Sequence, residues 1–193
     1  TYFRGEWTKG GLPYYYLYAL AIKVPLGMWC LAIVGLFFRA TRMDGAHLAR
    51  DELILLAPAI VIITLVSSSP GFSDHLRYVL PCFPFTFIWI SRIARVSWAQ
   101  SRWISGVAAT ALVWAIISSL LVYPHSLSYF NELVGGPRNG HYHLLSSNID
   151  YGQDLLKLRR WYDRHPEARP LGLAYWDYES VDPRVVGIDY CVA

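Results

Sequence analysis

The chain has 193 residues, 54% of them hydrophobic and only 16% charged, with eight tryptophans, a composition that argues against a soluble domain and for a membrane protein. Its net charge of +3 is unevenly placed: residues 1–123 hold ten Lys/Arg against five Asp/Glu, whereas 124–193 hold seven against nine. The basic excess belongs to the apolar part, as expected of segments flanking membrane spans, and this excludes a nucleic-acid partner, which needs a basic patch on a folded soluble surface.

The first apolar run, "YYYLYALAIKVPLGMWCLAIVGLFF" from Tyr14 to Phe38, exceeds the roughly 20 residues of a transmembrane helix. Lys23 and Pro25 interrupt it. Two readings stay open: a continuous span with a buried ammonium, or an interfacial helix that turns at Pro25 into the true span. The second run, Leu53 to Ser69, carries a central Pro58, which membrane helices tolerate. The third, Tyr78 to Ser91, is short and holds Pro81 and Pro84, so a re-entrant segment is its alternative. The fourth, Trp103 to Tyr123, has neither charge nor proline. Cys30 and Cys82 lie inside apolar runs and Cys191 near the end of the sequence, which gives no disulfide or zinc pattern.

Arginine sets the expected direction. The stretch from Arg39 to Glu52 holds Arg39, Arg42 and Arg50, and that from Arg92 to Arg102 holds Arg92, Arg95 and Arg102. Between the second and third runs there is only Arg77. The positive-inside rule makes the two arginine-rich stretches cytoplasmic loops and puts both ends of the chain outside. Tyr14, Tyr15, Tyr16 and Tyr18 then fall in an outer aromatic belt.

Beyond Tyr123, "YPHSLSYFNE" turns the last span into a polar tail at headgroup level, and "GGPRNG" (Gly135 to Gly140) is a dense turn signal with Asn139-Gly140 suited to positive φ. Asp150-x-x-Gln153 reads as a capping box ahead of a helix carrying Leu155, Leu158 and Tyr162, which Pro166 stops. A strand-like "PLGLAYW" (Pro170 to Trp176) and "RVVGIDY" follow. The expected fold is mainly α: a polytopic transmembrane bundle of about four spans over residues 1–123, with a small, incomplete α/β extracytoplasmic domain over 124–193.

Few residues carry chemistry. Lys23 is an ammonium deep in an apolar run, and "SDHLRY" puts Asp74, His75 and Arg77 at the outer mouth of the third run. Such a cation pair suits a lipid phosphate, which arginine holds bidentately, and ordinary helix-flanking charge is the plainer account. His125, Asn131 and Glu132 form a polar corner that either lines an acceptor cavity or fastens the tail. His141-x-His143 is too sparse for a metal site, no nucleophile motif is present, and no metal or other cofactor is predicted.

Three stretches together, "GGLPYYYLYALAIKVPLGMW", "HLRYVLPCFPFTFIW" and "YPHSLSYFNELVGGPRNGHYHLLSSNIDYGQDLLKLRRWYDRHP", resemble the later spans and outer tail of bacterial membrane glycosyltransferases of the dolichyl-phosphate-mannose protein mannosyltransferase type. The third is the most specific, through "YFNE", "GGP.NG", "SN.D" and "GQDL"; Ser146 and Tyr151 depart from the acidic residue and the tryptophan usual there. The resemblance implies a multi-pass inner-membrane enzyme that moves a sugar, with inversion, from a polyprenyl-phosphate carrier to a protein, glycan or lipid acceptor on the outer face. It implies that the general-base carboxylate lies upstream of Thr1, so the chain is expected to be a C-terminal fragment without that residue. Arg77, with His75 or Lys23, would neutralise the departing carrier phosphate. The alternatives are part of a membrane transporter, which should show more ionisable groups at mid-membrane, and a membrane-anchored extracytoplasmic binding module.

Overall fold

A computed structural model describes residues 1–41, 46–69, 75–100, 102–152, 154–173 and 181–192, with the side chains of all these except 38–41, 46–49, 95–100 and 192. The protein is mainly helical and forms two compact units, Thr1–Asn148 and Ile149–Ala193. The expected boundary at residue 123 falls inside the first unit, so Pro124 to Asn148 belongs with the apolar helices.

The first unit opens on a hairpin the sequence reading did not anticipate. Strands β1 (Tyr2–Phe3) and β2 (Glu6–Trp7) pair antiparallel through Arg4-Gly5, both at positive φ (50° and 91°), the geometry of a two-residue hairpin turn. Phe3 packs against Tyr14, Tyr15 and Tyr18. The tyrosine cluster is thus divided: Tyr15 and Tyr16 are buried, and Tyr14 is exposed.

The first apolar run is two helices. α1 (Tyr15–Lys23) and α2 (Leu26–Thr41) are bent by 108° at Val24-Pro25. The cause is local: a residue before proline is pushed out of the helical region, and Val24 is extended at φ −91°, ψ 134°. Helix α3 (Ala46–Ser68) carries Pro58 internally, and its Arg50–Ser68 portion is long and apolar enough to cross a membrane. The third run starts as a 3-10 helix over Leu76–Cys82 and continues as α4 (Phe83–Gln100), with Pro84 in the first turn, where a missing N–H costs nothing. Helix α5 (Arg102–Leu121) is the second that could cross a membrane by itself.

Among the described residues two helices meet the length and apolarity of a span, and the bent α1–α2 pair makes a third if counted as one. The arginine-rich stretches differ from the expected loops. α2 runs to Thr41 and α3 begins at Ala46, while α4 extends past Arg92 to Gln100 and α5 starts at Arg102. Arg39, Arg92, Arg95 and Arg102 therefore lie on helices; Arg42 and Asp74 are outside the described residues. Arg92 bonds Glu52 at 2.9 Å, tying α4 to α3.

Inside the bundle α2 packs on α5 and α4, and α4 on α3 and α5. Leu31, Ile93 and Ala111 form its buried centre. Gly27 permits the closest approach: a Cβ there would run into the carbonyl oxygen of Ala111 and lie 2.8 Å from the Ala115 nitrogen. Small residues at helix contacts have this use in membranes.

In the second unit, α6 (Leu155–Arg164) buries Leu155 and Tyr162 against Ile188, with Leu158, Leu171 and Val186 around them. The helical spacing of Leu155, Leu158 and Tyr162 is realised as expected. Its start is not. Asp150 makes an Asx turn, accepting from the Gly152 N–H at 3.0 Å, and the N-cap position falls to Asp154, while Gln153 is outside the described residues. Strands β3 (Leu171–Leu173) and β4 (Tyr190–Val192) pair parallel, and Pro183–Val186 is a 3-10 turn, so most of "RVVGIDY" is turn. Ala174 to Trp176 of the expected strand lie outside the described residues.

Candidate functional site

Ending a helix at Lys23 leaves its last carbonyls without intrahelical donors. Asn131, fully buried, supplies them: its Nδ2 donates to the carbonyls of Ala21 at 2.7 Å and Val24 at 2.9 Å, and its backbone N–H to Ile22 at 2.8 Å. Of the expected polar corner, Asn131 is therefore a cap on the elbow between α1 and α2. Its own Oδ1 accepts from no group among the described residues.

Lys23 is held beside it. The ammonium donates to the Leu127 carbonyl at 2.7 Å and to the Asn148 carbonyl, and lies 4.4 Å from the centroid of the Phe130 ring. Two of its three N–H donors are thus used by the protein backbone, and the ring favours the charge. Asn148, 2% exposed, donates from Nδ2 to the Tyr15 hydroxyl at 2.9 Å and accepts on Oδ1 from the Leu76 N–H at 3.3 Å. Its neighbour Ser147 meets the His75 ring, Oγ against Nδ1. Lys23 from α1 and His75 from the head of the third run accordingly reach adjacent residues of one short turn, Ser146–Asn148. That turn begins on Ser146 at φ 59°, a conformation uncommon for a residue with a Cβ.

Arg77 is exposed two residues beyond His75, its guanidinium 5.4 Å from the Tyr78 ring centroid; the same ring packs on His75 at 5.6 Å. His125 is half-buried and contributes its backbone, donating to Val122 at 2.7 Å and accepting from Ser128 at 2.9 Å. Glu132 turns toward α5 instead, where its Oε1 accepts from the Trp114 indole N–H at 3.1 Å. Burial raises its pKa, but hydrogen bonds from its own backbone N–H, Ser118 and Trp114 outweigh this and hold the carboxyl below its ordinary value. Ser118 also bonds the Tyr129 hydroxyl at 2.7 Å. Trp114 precedes the end of α5 by seven residues, about 10 Å at 1.5 Å per residue, so "YPHSLSYFNE" doubles back along the helix it leaves.

The expected donor-side residues are therefore partly brought together. Lys23 and His75 share the Ser147–Asn148 turn, Arg77 lies against Tyr78, whose ring also packs on His75, and His125, Asn131 and Glu132 serve three separate purposes. Sequence reading missed Ser147 and Asn148, although both sit in the "SN.D" pattern. Tyr18, expected only as part of the aromatic belt, has its hydroxyl 2.5 Å from His143 Nδ1. That contact engages the second histidine of His141-x-His143, while the His141 ring packs against Tyr142 at 3.9 Å. Among the described residues no group of three His, Cys, Asp or Glu side chains is placed to hold a metal ion.

Compared with known proteins, the chain matches no family model, no curated protein and no solved structure.

Proposed function

We propose that the chain is the C-terminal part of an integral-membrane glycosyltransferase that moves a sugar from a polyprenyl-phosphate carrier to an extracytoplasmic acceptor, with inversion. On this reading the helices form four spans in the cytoplasmic membrane, both ends of the chain lie outside, and residues 149–193 belong to a small α/β domain on that face. The acceptor is a protein, glycan or lipid, and the general base is a carboxylate outside this chain.

The observation that carries the reading is the meeting of His75 and Lys23 on the Ser147–Asn148 turn, with the exposed Arg77 guanidinium two residues from His75. These side chains come together where α1 ends and the third apolar run begins. A carrier whose tail lies among apolar helices and whose phosphate sits at their ends needs cations at that level. The resemblance of the "YFNE", "GGP.NG" and "SN.D" stretches gives those cations a donor phosphate to address.

Transfer from a polyprenyl-phosphate sugar, measured with the complete protein in proteoliposomes, tests this. Arg77→Ala should lower turnover at least tenfold with membrane insertion unchanged. Unchanged turnover removes the Arg77 assignment. Wild-type protein that neither binds the donor nor transfers its sugar overturns the reading, and sugar uptake in the same vesicles would establish a transporter instead.

A further inference from the structure

We infer that Ser147 is a positioning residue of the carrier-phosphate site: it fixes the His75 ring so that Nε2 presents an N–H to the carrier phosphate held also by Arg77, a diester in the donor and a monoester once the sugar has left. The inference rests on the reading above and adds to it a role for Ser147, which the "SN.D" pattern contains without assigning it one.

Three features lead to it. First, Ser147 Oγ stands against His75 Nδ1, and a hydrogen bond at one ring nitrogen decides the role of the other. With the serine hydroxyl donating to Nδ1, the ring proton sits on Nε2, and the imidazole becomes a directed donor. Second, the ring has a second support in Tyr78, at 5.6 Å and 50°, so its plane as well as its tautomer is set. Tyr78 also carries the Arg77 guanidinium, so one ring contacts both phosphate-directed groups, His75 at the N-cap of the short helix and Arg77 within it. Third, Ser147 is itself held. The next residue, Asn148, is bonded through its side chain to Tyr15 and the Leu76 N–H and through its carbonyl to Lys23. The turn is therefore fixed from α1 and from the residue after His75 together, and His75 and Ser147 remain only half-buried, open to a ligand.

The same contacts redistribute the expected roles. Lys23 donates to two backbone carbonyls and holds the turn, whereas His75 and Arg77 address the ligand. Lys23 then contributes by keeping Ser147 in place.

The test is a double-mutant cycle on binding and turnover in the complete protein, in nanodiscs, with a long-chain polyprenyl monophosphate as ligand and phosphatidic acid as the competing source of a phosphate monoester. His75→Ala and Ser147→Ala should each weaken polyprenyl phosphate binding by about tenfold or more, a loss of the size of one hydrogen bond to a charged group. The double variant should be no weaker than His75→Ala alone, because Ser147 acts through the ring, and Ser147→Thr should restore most of the affinity. Additive losses overturn the positioning role, as does a Ser147→Ala protein that binds as tightly as wild type. Thermal unfolding of each variant shows whether the turn has collapsed; a cycle whose losses follow unfolding rather than ligand also overturns it. Equal competition by phosphatidic acid would assign the site to ordinary headgroups. Failure of the wild-type protein to bind either lipid would overturn the transferase reading itself, a result distinct from a neutral Ser147→Ala.

Discussion

The Lys23 ammonium donates to the Leu127 carbonyl at 2.7 Å, joining residues 104 apart in the sequence across the elbow of the first apolar run. With the Asn148 carbonyl and the Phe130 ring as its other contacts, the lysine fills a site built from backbone. Replacing it with methionine keeps the apolar stem and removes the donors, leaving two carbonyls short of a partner at about 1–3 kcal/mol each where water cannot reach. Lys23→Met should therefore lower the midpoint of thermal unfolding in detergent and expose the 124–148 segment to protease. A variant as stable as wild type but unable to bind polyprenyl phosphate would make Lys23 a ligand rather than a clamp.

Gly27 and Gly106 are both glycines of apolar helices and differ in surroundings. A Cβ on Gly27 would meet the backbone of α5 at Ala111 and Ala115, which cannot move aside without separating the helices, whereas one on Gly106 meets nothing within 4 Å. Gly27→Ala should destabilise the first unit by about 1–3 kcal/mol, the usual cost of overpacking, and Gly106→Ala should be neutral or slightly stabilising. Unfolding midpoints of the two variants, measured side by side in one detergent, decide this; equal midpoints would contradict the contact.

The positions of the apolar runs were legible because hydrophobicity is a local signal. Leu155, Leu158 and Tyr162 were legible for the same reason, since one periodicity places all three on a face. The bend at Val24-Pro25 was half legible: proline announced a break but gave no direction. What lay beyond the sequence is long-range. Nothing in the order of residues ties Asn131 to Ala21 and Val24, because a cap supplied more than a hundred positions away leaves no spacing to find. The Asp150-x-x-Gln153 pattern shows the converse, a local signature that the chain uses for an Asx turn while the helix begins later. Gly140 illustrates a third limit. The sequence marks it as a positive-φ turn residue, yet Gly135 and Gly136 carry the positive φ, and Gly140 is small because a Cβ there would strike the Phe130 ring.

Asn131 gives a test of the cap in which charge separates two explanations. Both of its amide hydrogens face carbonyl oxygens, so aspartate, nearly isosteric, would replace two donors with an acceptor aimed at acceptors. Asn131→Ala should cost about 1–3 kcal/mol for two lost hydrogen bonds, and Asn131→Asp more than that, despite its closer shape. Amide exchange along α1 should accelerate in the same order. If the aspartate variant proved the more stable of the two, the side chain would be filling space rather than donating.

His143 makes stability depend on pH. Burial, and then the nearby positive charge of Arg4, hold its pKa below the ordinary imidazole value, and the Tyr18 hydroxyl is 2.5 Å from Nδ1. A pKa lowered on folding means that the unfolded chain takes up the proton first. Its contribution is complete above the unfolded value of about 6.5 and is lost as pH falls through the folded one. The unfolding midpoint of the first unit should fall as pH drops from about 7 through the folded value, and only modestly because the ring keeps contact with solvent. His143→Gln should flatten that slope. Arg4→Asn, chosen because asparagine tolerates the φ of 50° at this position, should reduce it without abolishing it, since burial is the larger cause. A slope unchanged in His143→Gln would place the titration elsewhere.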